Sequence, residues 1–328
     1  MLKRLPRGVL TAVQVAVSVG LMAYLLRDIP FHVLLTAAAS ASVPMIVGGM
    51  LGMLFYHWLD SVQMMWALAR QQIVAGSLKV LKINLISMFY SLFLPSMIAG
   101  GAIRWYHFSR LDRRPAEALA AMLFNRVFET LLLVTFGIGA FLADRRGATE
   151  MNLGALMFVA LLTIAAIYLL MFDRRVHVLM GRLLAFLPLP ARVEAAGNKL
   201  LAAMSRFDQL GPAFTLKYFS LGIFRQLVSI GLVMVFVLAL DIEIGILTVA
   251  WIRSVVALIA LIPISIAGLG VREVTFVVAL AQYGVPAESA LVLSLLLFAR
   301  TVVFGLAGGL IEGHRVFISR DTSAEVSQ

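Results

Sequence analysis

The stretch PSMIAGGAIR, Pro95–Arg104, returns 168 residues later as PISIAGLGVR, Pro263–Arg272. Both read Pro-x-x-Ile-Ala-Gly-x-x-(Ile/Val)-Arg. Proline lacks a backbone donor and glycine lets the chain bend, so each phrase interrupts a helix and frees polar main-chain groups. Each also ends on a positive charge. The apolar segments Ile83–Ile98 and Ile244–Leu261 run straight into the two phrases.

The surrounding chain is 62% hydrophobic and 13% charged over 328 residues, with a mean hydropathy of +0.98. Runs of about 20 apolar residues in such a chain are membrane spans. The dyad alternation of an outer-membrane barrel is absent. The fold class is therefore all-α, a polytopic integral membrane protein. Full crossings are expected at Val9–Leu26, Ser42–Leu59, Ala118–Leu142, Met151–Met171, Tyr218–Leu240 and Ser289–Leu310. Residues 192–210, with Leu200, Leu201, Met204 and Phe207 at helical spacing, read as an amphipathic helix on the membrane surface. A single transmembrane domain then spans residues 1–317, and residues 318–328 form a polar tail expected to be disordered and cytoplasmic.

The formal charge of +10, from 27 Lys and Arg against 17 Asp and Glu, suits loops facing anionic headgroups rather than nucleic acid. Lys3, Arg4 and Arg7 precede the first span, Arg70, Lys79 and Lys82 follow the second, and seven further cations lie in the 173–217 loop. This bias puts both termini in the cytoplasm. The cation-rich RWYHFSRLDRRP after the first phrase breaks that rule if Ile83–Ile98 crosses completely. A broken, re-entrant hairpin removes the conflict, with hinges at Pro95, Gly100 and Gly101. The second copy, with hinges at Pro263, Gly268 and Gly270, then enters from the opposite side. Three crossings separate the two, so the halves, about 1–142 and 151–317, form an inverted-topology repeat of six full spans plus two hairpins. If the second hairpin crosses fully, the count rises to eight. Pro115-Ala116-Glu117 ahead of a span with Arg126, and Pro286-Ala287-Glu288 ahead of one with Arg300, extend the match.

Broken helices in corresponding positions of inverted halves mark a transporter's substrate site near the midplane. The other reading is a pair of glycine kinks that let helices pack closely. The charges favour the site. Arg104, Arg126, Arg253, Arg272 and Arg300 fall within or beside membrane segments, with Arg225 nearer an end. Each arginine at a span's centre costs about 2.5–3.5 kcal/mol. Glu129, one turn beyond Arg126, and Glu273, adjoining Arg272, are the acids in reach, so positive charge is in excess. A phosphate headgroup offsets it, since the guanidinium fork matches phosphate oxygens. The alternative for Arg104, Arg225 and Arg272 is an anchor that snorkels to the interface. Asn84 and Asn125 either line the cavity or bond between helices.

Cysteine is absent, which excludes disulfides and thiolate chemistry. The histidines, at 32, 57, 107, 177 and 314, have no metal-ligand spacing, and neither a Walker loop nor a dinucleotide fingerprint is present. No metal site and no cofactor is expected.

The run PISIAGLGVREVTFVVALAQYGVPAESALVLSLLLFAR resembles the flippase-like transmembrane domain family, named after the membrane half of lysylphosphatidylglycerol synthetase. Its pattern is carried by Pro263, Gly268, Gly270, Arg272, Glu273, Gly284, Val285 and Arg300, and in the first half by Asn84, Pro95, Arg104, Arg126 and Glu129. Where members often place acids, this chain has Ala102 and Asn125, so an ion-coupling role built on those acids is not carried over. The resemblance implies translocation of a lipid with an anionic phosphate headgroup across a bacterial inner membrane, without enzymatic activity. Alternatives are a membrane enzyme or an accessory subunit of a hopanoid, glycolipid or polyprenyl-phosphate pathway. A lipid-biosynthesis enzyme is a possible partner.

Overall fold

The computed structural model describes residues 17–18, 20–21, 23–27, 31–93, 99–144, 158–159, 161–166, 176, 178–179, 182, 191–207, 210–260 and 269–325. Among these, ten helices run in order: α1 Phe31–Ala39, α2 Val43–Arg70, α3 Ser77–Phe93, α4 Ala99–Leu111, α5 Pro115–Ala143, α6 Ala191–Ser205, α7 Pro212–Ala239, α8 Ile246–Ile259, α9 Val271–Ala281 and α10 Ala287–Glu325. Four are long and apolar enough to cross a membrane: α2, α5, α7 and the 287–314 part of α10. These correspond to four of the six expected crossings, extended by a turn or more at one or both ends. Most of the other two, Val9–Leu26 and Met151–Met171, lies outside the described residues.

Local chemistry sets where the long helices begin and end. Proline stands in the first turn of α2, α5 and α7, where its missing donor is harmless. At the far ends of α2 and α7 the chain makes the same turn twice. Gln72 and Asp241 take left-handed φ of 60° and 54°, and the amides of Ile73 and Ile242 reach back to the carbonyls of Leu68 and Val237. That six-to-one bond satisfies a carbonyl the helix end would otherwise leave bare.

The short helices form two hairpins. In the first, α3 and α4 pack side by side, and their outer ends are tied together. The amide of Val74 donates to Asp112 Oδ2 at 2.9 Å, and Arg114 Nη1 donates to Gln72 Oε1 at 2.7 Å. In the second, α8 packs on α9, and Asp144 Oδ2 accepts from Thr248 Oγ1 at 2.7 Å, Trp251 Nε1 at 3.1 Å and Tyr283 OH at 2.9 Å. Burial, helped by the Asp144 carboxylate, pushes the Tyr283 phenol up to about 12, so it stays a donor. Helix α5 starts beside the first mouth and ends, one residue before Asp144, at the second. Its 29 residues hold the two mouths about 43 Å apart, at opposite ends of the bundle. The helical arms of the second hairpin, 14 and 11 residues, reach only about 21 and 17 Å.

Several expectations need correction. Gly100 and Gly101 lie within α4, in its first turn. Gly100 serves packing instead: a Cβ there would meet Ser91 Oγ at 1.9 Å. Gly270 does sit at a break. Its φ of 83° opens α9, and its amide donates to Glu273 Oε2 at 2.7 Å. Pro95, Pro263 and Gly268 lie outside the described residues. Helix α10 continues to Glu325, so residues 318–325 are helical where a disordered tail is expected. The amphipathic helix is α6, which packs on α5 and turns Ala203 and Met204 inward. Just beyond it, Phe207 stacks on Phe124 with ring centroids 4.1 Å apart.

Helix α3 packs along α10, where small residues let backbones approach. A Cβ on Gly308 would stand 2.0 Å from the Leu85 carbonyl oxygen. Alanine normally stabilises a helix by about 1 kcal/mol over glycine, but here overpacking against backbone costs about 1–3 kcal/mol. Gly308→Ala is expected to lower the thermal midpoint of the purified protein in detergent. Gly313→Ala, which meets nothing within 4 Å, is expected to leave it unchanged or raise it.

Candidate functional site

Where the long helices meet the hairpins, helical spacing turns polar side chains inward. On α2 these are Tyr56, His57 and Asp60; on α5, Arg126, Glu129 and Thr130; on α7, Arg225, Gln226 and Ser229. Positions three and four apart share a helix face, so each set points one way. The hairpins add Arg253 from α8 and Arg272 from α9, and α10 adds Arg300. All of these except Asp60 border a chamber of about 370 Å³. A second chamber of about 200 Å³ shares the wall formed by Tyr56, His57, Arg126, Glu129 and Arg225, and is completed by Asp60, Asn84, Asn125 and Arg104 among others.

An ion-pair cluster stands in the shared wall. Arg225 Nη1 bonds to Asp60 Oδ1 and lies 2.9 Å from Glu129 Oε1. Arg225 is only 5% exposed, so it is a central tie between α2, α5 and α7 rather than an interfacial anchor. Tyr56 lays its ring 5.7 Å from the guanidinium carbon. The two asparagines hold the carboxylates in place. Asn125 Nδ2 donates to Glu129 Oε1 at 2.5 Å, and its own oxygen accepts from Tyr218 OH at 2.6 Å. Asn84 Nδ2 donates to Asp60 Oδ2 at 3.3 Å and to Ser61 Oγ at 3.1 Å.

One of the two acids pairs otherwise than its spacing suggests. Glu129 serves Arg225, not Arg126 one turn before it. Glu273, fully buried, caps α9 and binds Arg272 and Ser294 Oγ, so it fixes one lining arginine without lining the chamber itself. Arg272 is further fixed by the Phe298 ring at 5.1 Å. Among the described residues, Arg104, Arg126, Arg253 and Arg300 then have no carboxylate partner. Arg253 Nη2 makes a long 3.4 Å contact with Gln226 Oε1, while its Nη1 is buried without a hydrogen bond. Arg300 Nη1 lies 3.4 Å from Met53 Sδ, and its Nε is likewise orphaned. Buried donors of this kind need an acceptor, which a water or a ligand can supply.

All five arginines singled out in the sequence reach the two chambers: Arg126, Arg253, Arg272 and Arg300 in the larger, Arg104 in the smaller. Asn84 and Asn125 line the smaller one. The sequence reading missed Arg225, Asp60, Tyr56 and His57 as site residues. The signal available was a single acid, Asp60, inside an otherwise apolar helix and a single arginine inside α7. Each demands a partner at membrane depth.

Residues 11–309 match the family described as the lysylphosphatidylglycerol synthase TM region, and the chain belongs to that family. No curated protein matches the chain, and no solved structure does.

Removing one member of a buried ion pair costs about 3–5 kcal/mol, because it strands the charge left behind. Arg225→Met is expected to destabilise the purified protein by about that amount, read as a lower thermal midpoint. Adding Asp60→Asn and Glu129→Gln to the same chain is expected to recover part of the loss. A triple variant no more stable than the single one would mean that the carboxylates are not what Arg225 holds.

Proposed function

We propose that this member of the family moves a lipid with an anionic phosphate headgroup between the leaflets of a bacterial inner membrane, with both termini cytoplasmic. Arg126, Arg253 and Arg300 grip the headgroup in the larger chamber, with Arg272 beside them and Arg104 across the shared wall. The acyl chains stay in lipid. The observation that carries this reading is the convergence of arginines from α5, α8 and α10, without carboxylate partners among the described residues, on one chamber.

The two hairpins supply the means of alternating access. Their mouths lie at opposite ends of α5, which fits re-entrant elements that dip in from the two faces and expose irregular backbone only to protein or cavity. The matched turns at Gln72 and Asp241 and the proline-led starts of α5 and α10 support an inverted-topology repeat. Rocking one half on the other then opens the arginine chamber to each side in turn. The headgroup exchanges water for guanidinium donors, and the lipid leaves chemically unchanged.

The test is leaflet exchange in liposomes containing purified protein, with fluorescent anionic and zwitterionic lipids. The expected result is faster exchange of the anionic lipid. Arg253→Ala and Arg300→Ala, in preparations that elute as the parent protein does, are expected to slow it by about tenfold or more, the equivalent of one lost charge-assisted contact. Exchange indifferent to both substitutions, or recovery of a chemically altered lipid, would overturn the reading.

A further inference from the structure

Charge balance across the two chambers narrows the headgroup. Six arginines border them, and three carboxylates, those of Asp60, Glu129 and Glu273, pair with two of the six. Three positive charges remain in excess among the described residues. The connecting segments 94–98 and 261–268 contain no ionisable side chain, so they do not alter that number. A phosphodiester brings one negative charge and leaves two guanidiniums uncompensated, in a setting where uncompensated charge is disfavoured. A terminal phosphate brings about 1.5–2 charges, and a second, bridging phosphoryl group adds one more, so a diphosphate brings about 2.5–3. That is the group whose charge matches.

The space is divided in the same way. Arg253 and Arg300 line the larger chamber and Arg104 the smaller, with Arg126 common to both. We infer that the headgroup carries two linked phosphates, one facing Arg253 and Arg300 and the other facing Arg126 and Arg104. This deepens the proposed function and rests on its reading of the cavity as a headgroup site. The shared chemistry, a diphosphate, has two sources: a lipid diphosphate or free pyrophosphate.

The experiment measures binding to the full-length protein in detergent with four probes: farnesyl diphosphate, farnesyl monophosphate, a short-chain phosphatidylglycerol and inorganic pyrophosphate. Farnesyl diphosphate is expected to bind about tenfold tighter than the monophosphate, the worth of one further charge-assisted contact, and tighter still than the diester. Arg104→Gln is expected to weaken the diphosphate more than the monophosphate and so to erase that advantage, whereas a general loss of fold would weaken the two alike. Arg300→Gln is expected to weaken both. Diester and diphosphate binding equally, or Arg104→Gln weakening mono- and diphosphate alike, would overturn the inference and leave lipid translocation standing. Binding of none of the three lipids would overturn both. Inorganic pyrophosphate binding as tightly as farnesyl diphosphate would overturn the lipid source and keep the two-phosphate chemistry.

Discussion

Arg225 holds three helices by one guanidinium. Asp60 on α2 and Glu129 on α5 both bond to it from α7, and each carboxylate is steadied by an asparagine from another position in the bundle. In a low-dielectric interior such a cluster is stable only when every member is present and hydrogen-bonded. Because the cluster forms the wall between the chambers, the same contacts that secure the helices also fix where Arg126 and Tyr56 stand. Structure and site therefore share one set of atoms.

Around that tie, the remaining arginines divide by what restrains them. Arg272 is locked by Glu273, which is itself locked by the Gly270 amide at the start of α9. That chain of contacts makes the second hairpin's break a positioning device: the left-handed glycine places the acid, and the acid places the guanidinium. Arg253 and Arg300 have no such restraint and meet only weak acceptors, an amide oxygen at 3.4 Å and a thioether sulfur. Both line the larger chamber.

Much of this was legible in the sequence, and the failures have physical reasons. Apolar length identified the four long helices, and the cost of intramembrane charge picked out the arginines. Arg225 was misjudged because a cation near a span's end reads as a snorkelling anchor, and no one-dimensional pattern shows that Asp60, 165 residues earlier, lies against it. Glu129 was assigned to Arg126 by its spacing on the helix, yet the tertiary partner won. Spacing from shared landmarks shows a further difference between the two stretches. Counted from the prolines that lead α5 and α10, Glu129 and Arg300 both stand fourteen residues on, and counted from the left-handed turns, Asn84 and Arg253 both stand twelve on. At these two matched places the first half has an acid and an amide where the second has guanidiniums. Matching arginine to arginine hid that asymmetry.

The seam between α3 and α10 bears on how the protein is made. Leu85 and Gly308, 223 residues apart, touch backbone to backbone, and α5 of the first half lies against α8 of the second. The two halves thus share part of their packing. During synthesis Asp60 therefore enters the bilayer 165 residues ahead of Arg225, and the face of α3 that receives Gly308 stays uncovered until the last crossing is made.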